Sequence, residues 1–426
     1  MSFDWTDAFA DRVITAEQAA ATVNPGDRVI TSLPEPTAFL DALAERAELS
    51  DVTVFMPVPR RGGVAVAEHP GMTVQATFIS QIMRNAGAAS DVVPLRLQDW
   101  NRYLRDHPGR VSVIQVATPL ADGTVRPGSV LGGNGSVVQR ERRPGDLVFG
   151  LVNPVVPHVH GEAFHVDDFD GLIEIPADGA TPVFDERTPP DELEPFIGAL
   201  DELIPDGATV QSGVGGLTEI ALSSMTHKRD LGIHTEIMCQ GLADLMRSGA
   251  ANGSRKTIFT GKAVFTISLP ETFAYIDDNP ACHITHGEVA LDPRIIAQNP
   301  SMRCVNAAVE VDLLGQVNAE MIGGQQFSGV GGQLDFLRGC QLAEDALSIH
   351  LLPSTARGGT ASRIIPRIGE NGVTATRYDS QVVVTEHGIA WLKDATMTQK
   401  AERLIAVAHP DHQAELTDAA ERAGLL

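Results

Sequence analysis

The chain has 426 residues, enough for two domains that each have a hydrophobic core of their own. Its 55 Asp and Glu residues outnumber its 32 Lys and Arg residues, and the net charge of -23 argues against nucleic acid or an anionic membrane as partner. No apolar run approaches the ~18 residues of a membrane span, and the acidic N-terminus does not resemble a signal peptide. The four cysteines lack C-x-x-C spacing, which predicts reduced thiols and a cytoplasmic location.

The first half of the chain alternates predicted strands and helices. Thr15 precedes an Ala-rich run and is the expected N-cap of a helix. Strands are expected at residues 28–31, 51–55 and 111–116, with a helix over 36–46 and an exposed loop at 60–63. This alternation predicts an α/β unit with a parallel sheet.

Histidines and carboxylates lie close together after residue 157. They are His158, His160, Glu162, His165 and Asp167. The spacing is compatible with a metal site. Nothing nearby supplies the hydrogen-bonding groups that orient metal ligands, so the preferred interpretation is a loop of hydrogen-bonded histidines, with no metal.

A stretch rich in proline and charge, residues 185–194, marks the predicted domain boundary. The expected domains are 1–187 and 188–426. The second domain begins with a helix over 195–203, followed by a strand, the Gly-rich turn Ser212-Gly213-Val214-Gly215-Gly216 and a helix from Leu217. Glycines at a helix N-terminus let an anionic ligand approach unpaired N–H groups. This turn alone is weak evidence, because it matches no established nucleotide-binding pattern.

The two halves show a faint self-similarity. An offset of 181 residues aligns Gly26 with Gly207, Val29 with Val210, and Thr37 with Thr218. We therefore expect two related open α/β domains with mainly parallel sheets. The first half has lost the glycines after its strand, so the chemistry is expected in the second.

Glu236 ends the apolar stretch 231–236, which is a predicted buried strand. In open parallel sheets the carboxyl ends of strands meet the crevice where ligands bind, so a carboxylate there is well placed for chemistry. An ordinary solvated glutamate is the alternative. A second Gly-rich turn at 328–332 is what a paired backbone oxyanion site requires.

Seven motifs between about residues 195 and 412 resemble the acetyl-CoA hydrolase/transferase family, the class I CoA-transferases. They are IPDGAT (204–209), LGIHTE (231–236), EVD with GQVNAE (310–320), GVGGQLDF (329–336), LPST (352–355), VTEHG (384–388) and AVAHP (406–410). The first half is similar only at Gly26-Asp27-Arg28-Val29, Gln115-Val116 and His160-Gly161. The family's Tyr and its Asp or Asn are replaced by His387 and Trp391.

The resemblance implies an enzyme that moves CoA from an acyl-CoA to a carboxylic acid, with Glu236 as nucleophile. Glu236, expected to be ionised at neutral pH, forms an acyl-glutamyl anhydride and then a glutamyl-CoA thioester, which predicts ping-pong kinetics. Backbone N–H groups of Val214 and of Gly331 or Gly332 are the implied oxyanion donors. CoA is then a substrate, and no tightly bound cofactor is expected.

Further residues are candidates for binding the substrate or the CoA phosphates. They are Gln211, Gly213, Gly215, Gln333, Arg357, Gly358 and Arg363. The two glutamines are equally compatible with buried amides that complete a turn, and the two arginines with solvated surface residues. Arg60 or Arg61 is a further hypothesis, as the partner of a second carboxylate on a dicarboxylic substrate.

Two other functions stay open. Water in place of the acceptor acid would make the protein an acyl-CoA hydrolase that uses the same glutamate. The same fold without turnover would make it an acyl-CoA or sugar-phosphate binding protein, since fold alone does not determine function. Glu236 together with both Gly-rich turns argues against the binding protein. A homodimer is the default expectation for the assembly.

Overall fold

The computed structural model describes residues 3–176, 193–213 and 216–426. Contacts within the chain form two units, one of Met1–Asp185 with Phe265–Val289 and one of Glu186–Val264 with Ala290–Leu426. The segment 265–289 thus belongs to the first unit, whereas the sequence assigned it to the second domain. The predicted boundary at 187 lies outside the described residues and stays a prediction.

Strands and helices alternate through the first unit, as predicted. Its strands up to residue 176 are β1 (Val13–Ile14), β2 (Arg28–Thr31), β3 (Val52–Phe55), β4 (Met72–Ala76), β5 (Asp91–Val92), β6 (Val111–Val116), β7 (Thr124–Val125), β8 (Leu147–Val152), β9 (Phe164–His165) and β10 (Gly171–Glu174). Its helices are α1 (Trp5–Ala8), α2 (Ala16–Ala20), α3 (Thr37–Ala44), α4 (Arg61–Glu68), α5 (Gln81–Ala86), α6 (Trp100–Asp106) and α7 (Asn134–Gln139). Thr15 caps α2 with a reciprocal bond to Gln18, which confirms the predicted N-cap.

A parallel sheet is the core of the first unit, with strand order β1-β10-β8-β6-β2-β3-β4-β5. Every residue of β6 is buried, as expected for a central strand covered on both faces. Phe39 and Leu40 of α3 and Val66 of α4 pack on the same core cluster as Val111 and Val113 of β6. The predicted strands 28–31 and 111–116 are confirmed to the residue.

The predicted exposed loop at 60–63 is wrong. Helix α4 begins at Arg61, and the backbone of this turn is held by the buried carboxylate of Glu35. Glu35 accepts the N–H groups of Arg60 and Gly62 at 2.8 Å each and that of Gly63 at 3.2 Å. A carboxylate supplied from outside the helix satisfies the donors that a helix N-terminus leaves unpaired.

The remainder of the chain adds further short strands and helices. The strands are β11 (Thr209–Ser212), β12 (Gly232–Ile233), β13 (Ile237–Met238), β14 (Ala263–Phe265), β15 (Ile267–Ser268), β16 (Cys282–Ile284), β17 (Arg303–Ala307), β18 (Glu310–Asp312), β19 (Val317–Asn318), β20 (Met321–Ile322), β21 (Gln325–Gln326), β22 (Leu347–Leu351), β23 (Thr355–Ala356), β24 (Ala361–Ser362), β25 (Ile364–Ile365), β26 (Val382–Thr385) and β27 (Gly388–Trp391). The helices are α8 (Glu194–Leu203), α9 (Gly216–Ser223), α10 (Gln240–Arg247), α11 (Phe273–Ile276), α12 (Gly287–Ala290), α13 (Pro293–Ile296), α14 (Gln333–Leu342), α15 (Met397–Ala406) and α16 (Pro410–Arg422).

The second unit has its own sheet, in the order β12-β11-β17-β22-β26-β27. All neighbours are parallel except β26 and β27, which form an antiparallel pair. Strands β2 and β11 begin and end at positions related by the offset of 181, and Gly26 and Gly207 before them have φ of 82° and 79°. The structure is therefore α/β with two related, mainly parallel sheets, as predicted. No helix among the described residues is long and apolar enough to cross a membrane.

Candidate active site

Glu236 lies in the bend between β12 and β13 of the second unit, where its side chain is partly buried. One carboxylate oxygen, Oε2, accepts the backbone N–H of Gly332 at 2.7 Å. Burial raises the pKa of Glu236 to about 7, against the lowering effect of the Gly332 N–H and with a further increase from Asp335. The protonated and ionised forms therefore coexist at neutral pH, whereas the sequence suggested a fully ionised carboxylate.

Gly332 approaches Glu236 so closely that no side chain fits at this position. A Cβ at Gly332 would lie 2.6 Å from Oε2 of Glu236 and 2.6 Å from Cδ2 of Leu291. The requirement is one of space, since the φ of Gly332 is an ordinary -98°. Its neighbour Gly331 has a φ of 57°, in the left-handed region that favours glycine.

Two buried side chains hold the backbone that leads into Glu236. His234 Nε2 lies 2.8 Å from the carbonyl oxygen of Ala290, and Lys256 Nζ donates to the carbonyl oxygen of Ile233 at 2.8 Å. Burial lowers the pKa of His234 to about 3, and that of Lys256 to about 7. His234 is thus neutral at physiological pH and donates through Nε2.

The first Gly-rich turn follows β11 directly. Gly213 donates its N–H to the carbonyl of Val305 at 2.7 Å, so this donor belongs to the sheet. Its carbonyl accepts the Thr218 hydroxyl at 2.8 Å. The two other predicted residues of the turn, Val214 and Gly215, lie outside the described residues, and their roles stay predictions.

Gln211 is buried, and its amide is hydrogen bonded within the protein. It exchanges two hydrogen bonds with the Asn306 amide, at 3.1 and 3.2 Å. The interpretation of Gln211 as a buried amide that supports the turn fits this geometry better than a direct substrate contact. Asn306 is not among the residues predicted for the site, although it is a polar residue near the end of a buried strand, which is the same signal that indicated Glu236. Gln333 begins α14, and its side-chain amide donates to the carbonyl of Ala307 at 3.5 Å.

Of the candidate CoA-binding arginines, Arg357 lies in the loop of the hairpin formed by β23 and β24, and Arg363 directly follows β24. Arg357 is exposed with a φ of 53°, and Gly358 follows it with a φ of 65°. Arg363 is partly buried, which lowers its pKa, and its Nε donates to the carbonyl of Thr355 at 3.2 Å. The role of this hairpin in binding CoA stays a prediction.

The remaining predicted positions have ordinary contacts. His158 Nε2 lies 3.0 Å from the Thr118 hydroxyl, and His160 Nε2 lies 3.0 Å from Asp278. These two histidines are hydrogen bonded, as predicted. Among the described residues, no group of three or more His, Cys, Asp or Glu side chains is arranged to hold a metal ion.

The structure also shows the contacts of the two residues that depart from the family pattern, and of Arg60 and Arg61. His387 lies 3.6 Å from the Glu386 carboxylate, and Trp391 on β27 is exposed. Arg61 pairs with Asp41 at 2.5 Å, and Arg60 is buried. Arg61 therefore already has a carboxylate partner within the protein.

Comparisons with known proteins agree with this architecture. A family model described as the acetyl-CoA hydrolase/transferase C-terminal domain matches residues 269–420. A succinyl-CoA:cyclohexane-1-carboxylate CoA transferase of Geobacter metallireducens is 35% identical, with 97% of this chain and 96% of that protein covered. A 4-hydroxybutyrate coenzyme A transferase of Clostridium kluyveri is 30% identical, with 97% and 98% covered.

A solved structure extends the similarity to the whole fold. The crystal structure of RipA from Yersinia pestis matches over 100% of both chains, with 32% identity and a TM-score of 0.91. Similarity over the full length includes both units, whereas the family model covers only the later part of the chain. The chain therefore belongs to the acetyl-CoA hydrolase/transferase family and is a CoA-transferase.

Proposed function

We propose that this enzyme transfers CoA from an acyl-CoA to a carboxylic acid through a glutamyl-CoA thioester on Glu236. The observation that carries the proposal is the Glu236 carboxylate, partly buried and held at 2.7 Å by the N–H of Gly332. One relative is named a succinyl-CoA:cyclohexane-1-carboxylate CoA transferase and another a 4-hydroxybutyrate coenzyme A transferase, which supports an acyl-CoA and a carboxylic acid as the substrate classes here.

In the first step, the ionised form of Glu236 attacks the thioester carbonyl carbon. A C–O bond forms and the C–S bond breaks. The CoA thiolate departs, and Glu236 is left as an acyl-glutamyl anhydride. A carboxylate with a pKa near 7 is a stronger base than an ordinary glutamate, while a large fraction of it is still ionised at neutral pH. Burial therefore increases the basicity of the carboxylate without removing its charged form.

In the second step, the CoA thiolate attacks the glutamyl carbonyl carbon and the acyl group departs as a carboxylate. The oxyanion of this intermediate develops on an oxygen of Glu236 itself. The Gly332 N–H already donates to Oε2, so it requires no rearrangement to stabilise that charge. We propose Val214 as the second donor, from the first Gly-rich turn. An acceptor carboxylate then reverses both steps.

Steady-state kinetics with an acyl-CoA and a panel of carboxylic acids test the proposal. A double-displacement enzyme gives parallel double-reciprocal lines when one substrate is varied at several levels of the other. Release of CoA that does not depend on an added acid would instead make the protein a hydrolase. Tight binding of acyl-CoA without any turnover would support the binding protein. Glu236→Gln is the matched control, since it keeps the size of the side chain and removes the nucleophile.

Substrate binding, location and assembly belong to the same proposal. Arg357, Gly358 and Arg363 are proposed to contact the phosphates of CoA, because a protein of net charge -23 needs local cations for an anionic substrate. The four cysteines are free and buried, which supports a reducing compartment such as the cytoplasm. No tightly bound cofactor is required, and a homodimer is the expected assembly.

A further inference from the structure

We infer that His234 is a positioning residue for the transferase reaction, because its ring connects the two segments that place the Gly332 N–H against Glu236. The inference rests on the proposed function of Glu236. His234 lies two residues before Glu236 and its side chain is fully buried. Its role differs from that of a catalytic residue, since it touches neither the substrate nor the reacting atoms.

The first connection runs through Ala290. His234 Nε2 donates to the Ala290 carbonyl oxygen at 2.8 Å. The next residue, Leu291, lies against Gly332, where an added Cβ would be 2.6 Å from Leu291 Cδ2. The hydrogen bond of His234 therefore fixes the backbone that supports one side of Gly332.

The second connection runs through helix α14. The ring of His234 contacts Phe336 edge to face, with centroids 6.3 Å apart and planes at 71°. Phe336 is buried, and its N–H donates to the carbonyl oxygen of Gly332 at 3.1 Å. The same imidazole thus contacts the first turn of the helix that begins with the Gly332 N–H.

The neutral form of the ring suits this task. Donation through Nε2 leaves Nδ1 without a hydrogen, and this atom has no partner among the described residues. Burial disfavours a positive charge on the ring, and Lys256, which donates to the carbonyl of the preceding Ile233, disfavours it further. The imidazole is therefore uncharged, with one N–H donor for Ala290 and a ring that packs on Phe336. Its contribution to catalysis is to fix the positions of these two residues.

Three substitutions separate the two contacts. His234→Gln keeps an amide N–H close to the position of Nε2 and loses the ring. His234→Phe keeps the ring and loses the donor. His234→Leu loses both. Displacing a catalytic group by about 1 Å can lower the rate about a hundredfold, so we expect kcat of His234→Leu to fall by ~100-fold. The KM for acyl-CoA should stay within about twofold, since a positioning residue does not contribute to substrate binding.

The control separates positioning from stability. Phe196→Leu removes part of a buried aromatic ring in α8 of the same unit and should lower the melting temperature with kcat unchanged. His234→Gln should recover at least tenfold in kcat over His234→Leu, since the bond to Ala290 is restored. Folding is checked by circular dichroism, and the glutamyl-CoA adduct is quantified in each variant by mass spectrometry after borohydride reduction.

The outcomes are distinct for the two proposals. If the wild type forms the adduct and folded His234→Leu retains wild-type kcat, the positioning role is overturned and the proposed function stands. If kcat and KM of His234→Leu change together with no rescue by His234→Gln, the residue has a structural role only, and the inference is also overturned. If the wild type forms no adduct at all, the proposed function fails, and with it this inference.

Discussion

Glu236, the proposed nucleophile, is a stronger base than an ordinary glutamate and is still partly ionised at neutral pH. Its pKa of about 7, caused mainly by burial, makes the ionised fraction sensitive to pH in the neutral range. We therefore expect kcat/KM to decrease tenfold per pH unit below pH 7, as the carboxylate gains a proton. The measurement is kcat/KM between pH 5.5 and 9 with a fixed acyl-CoA.

The control for this profile is the ionisation of the substrates. A monocarboxylic acceptor titrates well below pH 6, so its protonation does not produce an inflection near 7. A rate that stays constant down to pH 5.5 would contradict the environment that the structure gives to Glu236.

The close packing at Gly332 predicts that adding a single methyl group there lowers activity. Gly332→Ala places a Cβ 2.6 Å from both the Glu236 carboxylate and Leu291, so the donor or the nucleophile must move. Because losing one oxyanion donor typically costs 10²–10³-fold in kcat, we expect a decrease of about that size. Steady-state kinetics and a thermal melt distinguish lost activity from lost folding.

Gly198→Ala is the matched control for the same chemical change. Gly198 lies inside α8, where an added Cβ meets nothing within 4 Å. Alanine is favoured over glycine by up to ~1 kcal/mol within a helix, so this variant should keep full activity and gain slightly in stability. Equal activity of the two variants would contradict the close approach at Gly332.

At the scale of elements, the buried carboxylate of Asp312 connects segments that are distant in sequence. One oxygen accepts the N–H groups of Leu314 and Gln316 at 3.0 and 2.9 Å. The other accepts the Gln316 amide at 2.9 Å and the N–H of Ile368 at 3.3 Å. Asp312 thus closes the turn after β18 and anchors the chain that follows β25.

We expect Asp312→Ala to destabilise the protein, since several buried donors lose their acceptor. Each unsatisfied buried donor costs about 1–3 kcal/mol, so the total loss should exceed ~3 kcal/mol. Equilibrium unfolding in urea measures the loss against Asp418→Ala, an exposed position where little change is expected. A loss below ~1 kcal/mol would mean that water replaces these bonds.

Local features of the sequence predicted the elements well. β-branched runs gave strands β2 and β6 at their observed ends, and the Thr15-to-Gln18 pattern gave the start of α2. The loop predicted at 60–63 failed because its backbone donors are satisfied by Glu35, which is 25 residues away from Arg60. Local patterns contain no information about a cap supplied by another element.

The same distinction between local signals and long-range contacts applies to the candidate site. Glu236 and the turn at 328–332 were identifiable, because a charged strand end and paired glycines are local signals. The contact between Glu236 and Gly332 joins residues 96 apart, and the bond from His234 to Ala290 joins residues 56 apart. Their geometry, and the raised pKa that follows from burial, required the folded structure.

For the molecule as a whole, the buried carboxylate of Glu236 lowers stability as the pH rises. The folded-state pKa of Glu236 is about 7, above its ordinary value of 4.5. The stabilisation from this group is therefore fully present below pH 4.5 and is lost as the pH rises through 7. Glu236→Gln, which is never charged, should melt higher than the wild type at pH 8, and this advantage should shrink towards pH 5.

Thermal melts of both proteins at a series of pH values test this difference. Glu415→Gln, at an exposed position, controls for the change in net charge and should follow the wild type at each pH. If Glu236→Gln were less stable than the wild type at pH 8, burial of the ionised Glu236 carboxylate would not destabilise the folded protein, contrary to this expectation.

The most direct test of covalent catalysis by Glu236 is mass spectrometry of the intact protein after incubation with a panel of acyl-CoA compounds and brief borohydride treatment. Borohydride reduces a glutamyl-CoA thioester to an alcohol, a loss of roughly 14 Da because a carboxyl group becomes a hydroxymethyl group. Covalent catalysis by Glu236 predicts this loss in the wild type and its absence in Glu236→Gln. Turnover of acyl-CoA without any such loss, or the same loss in both proteins, would contradict covalent catalysis by Glu236.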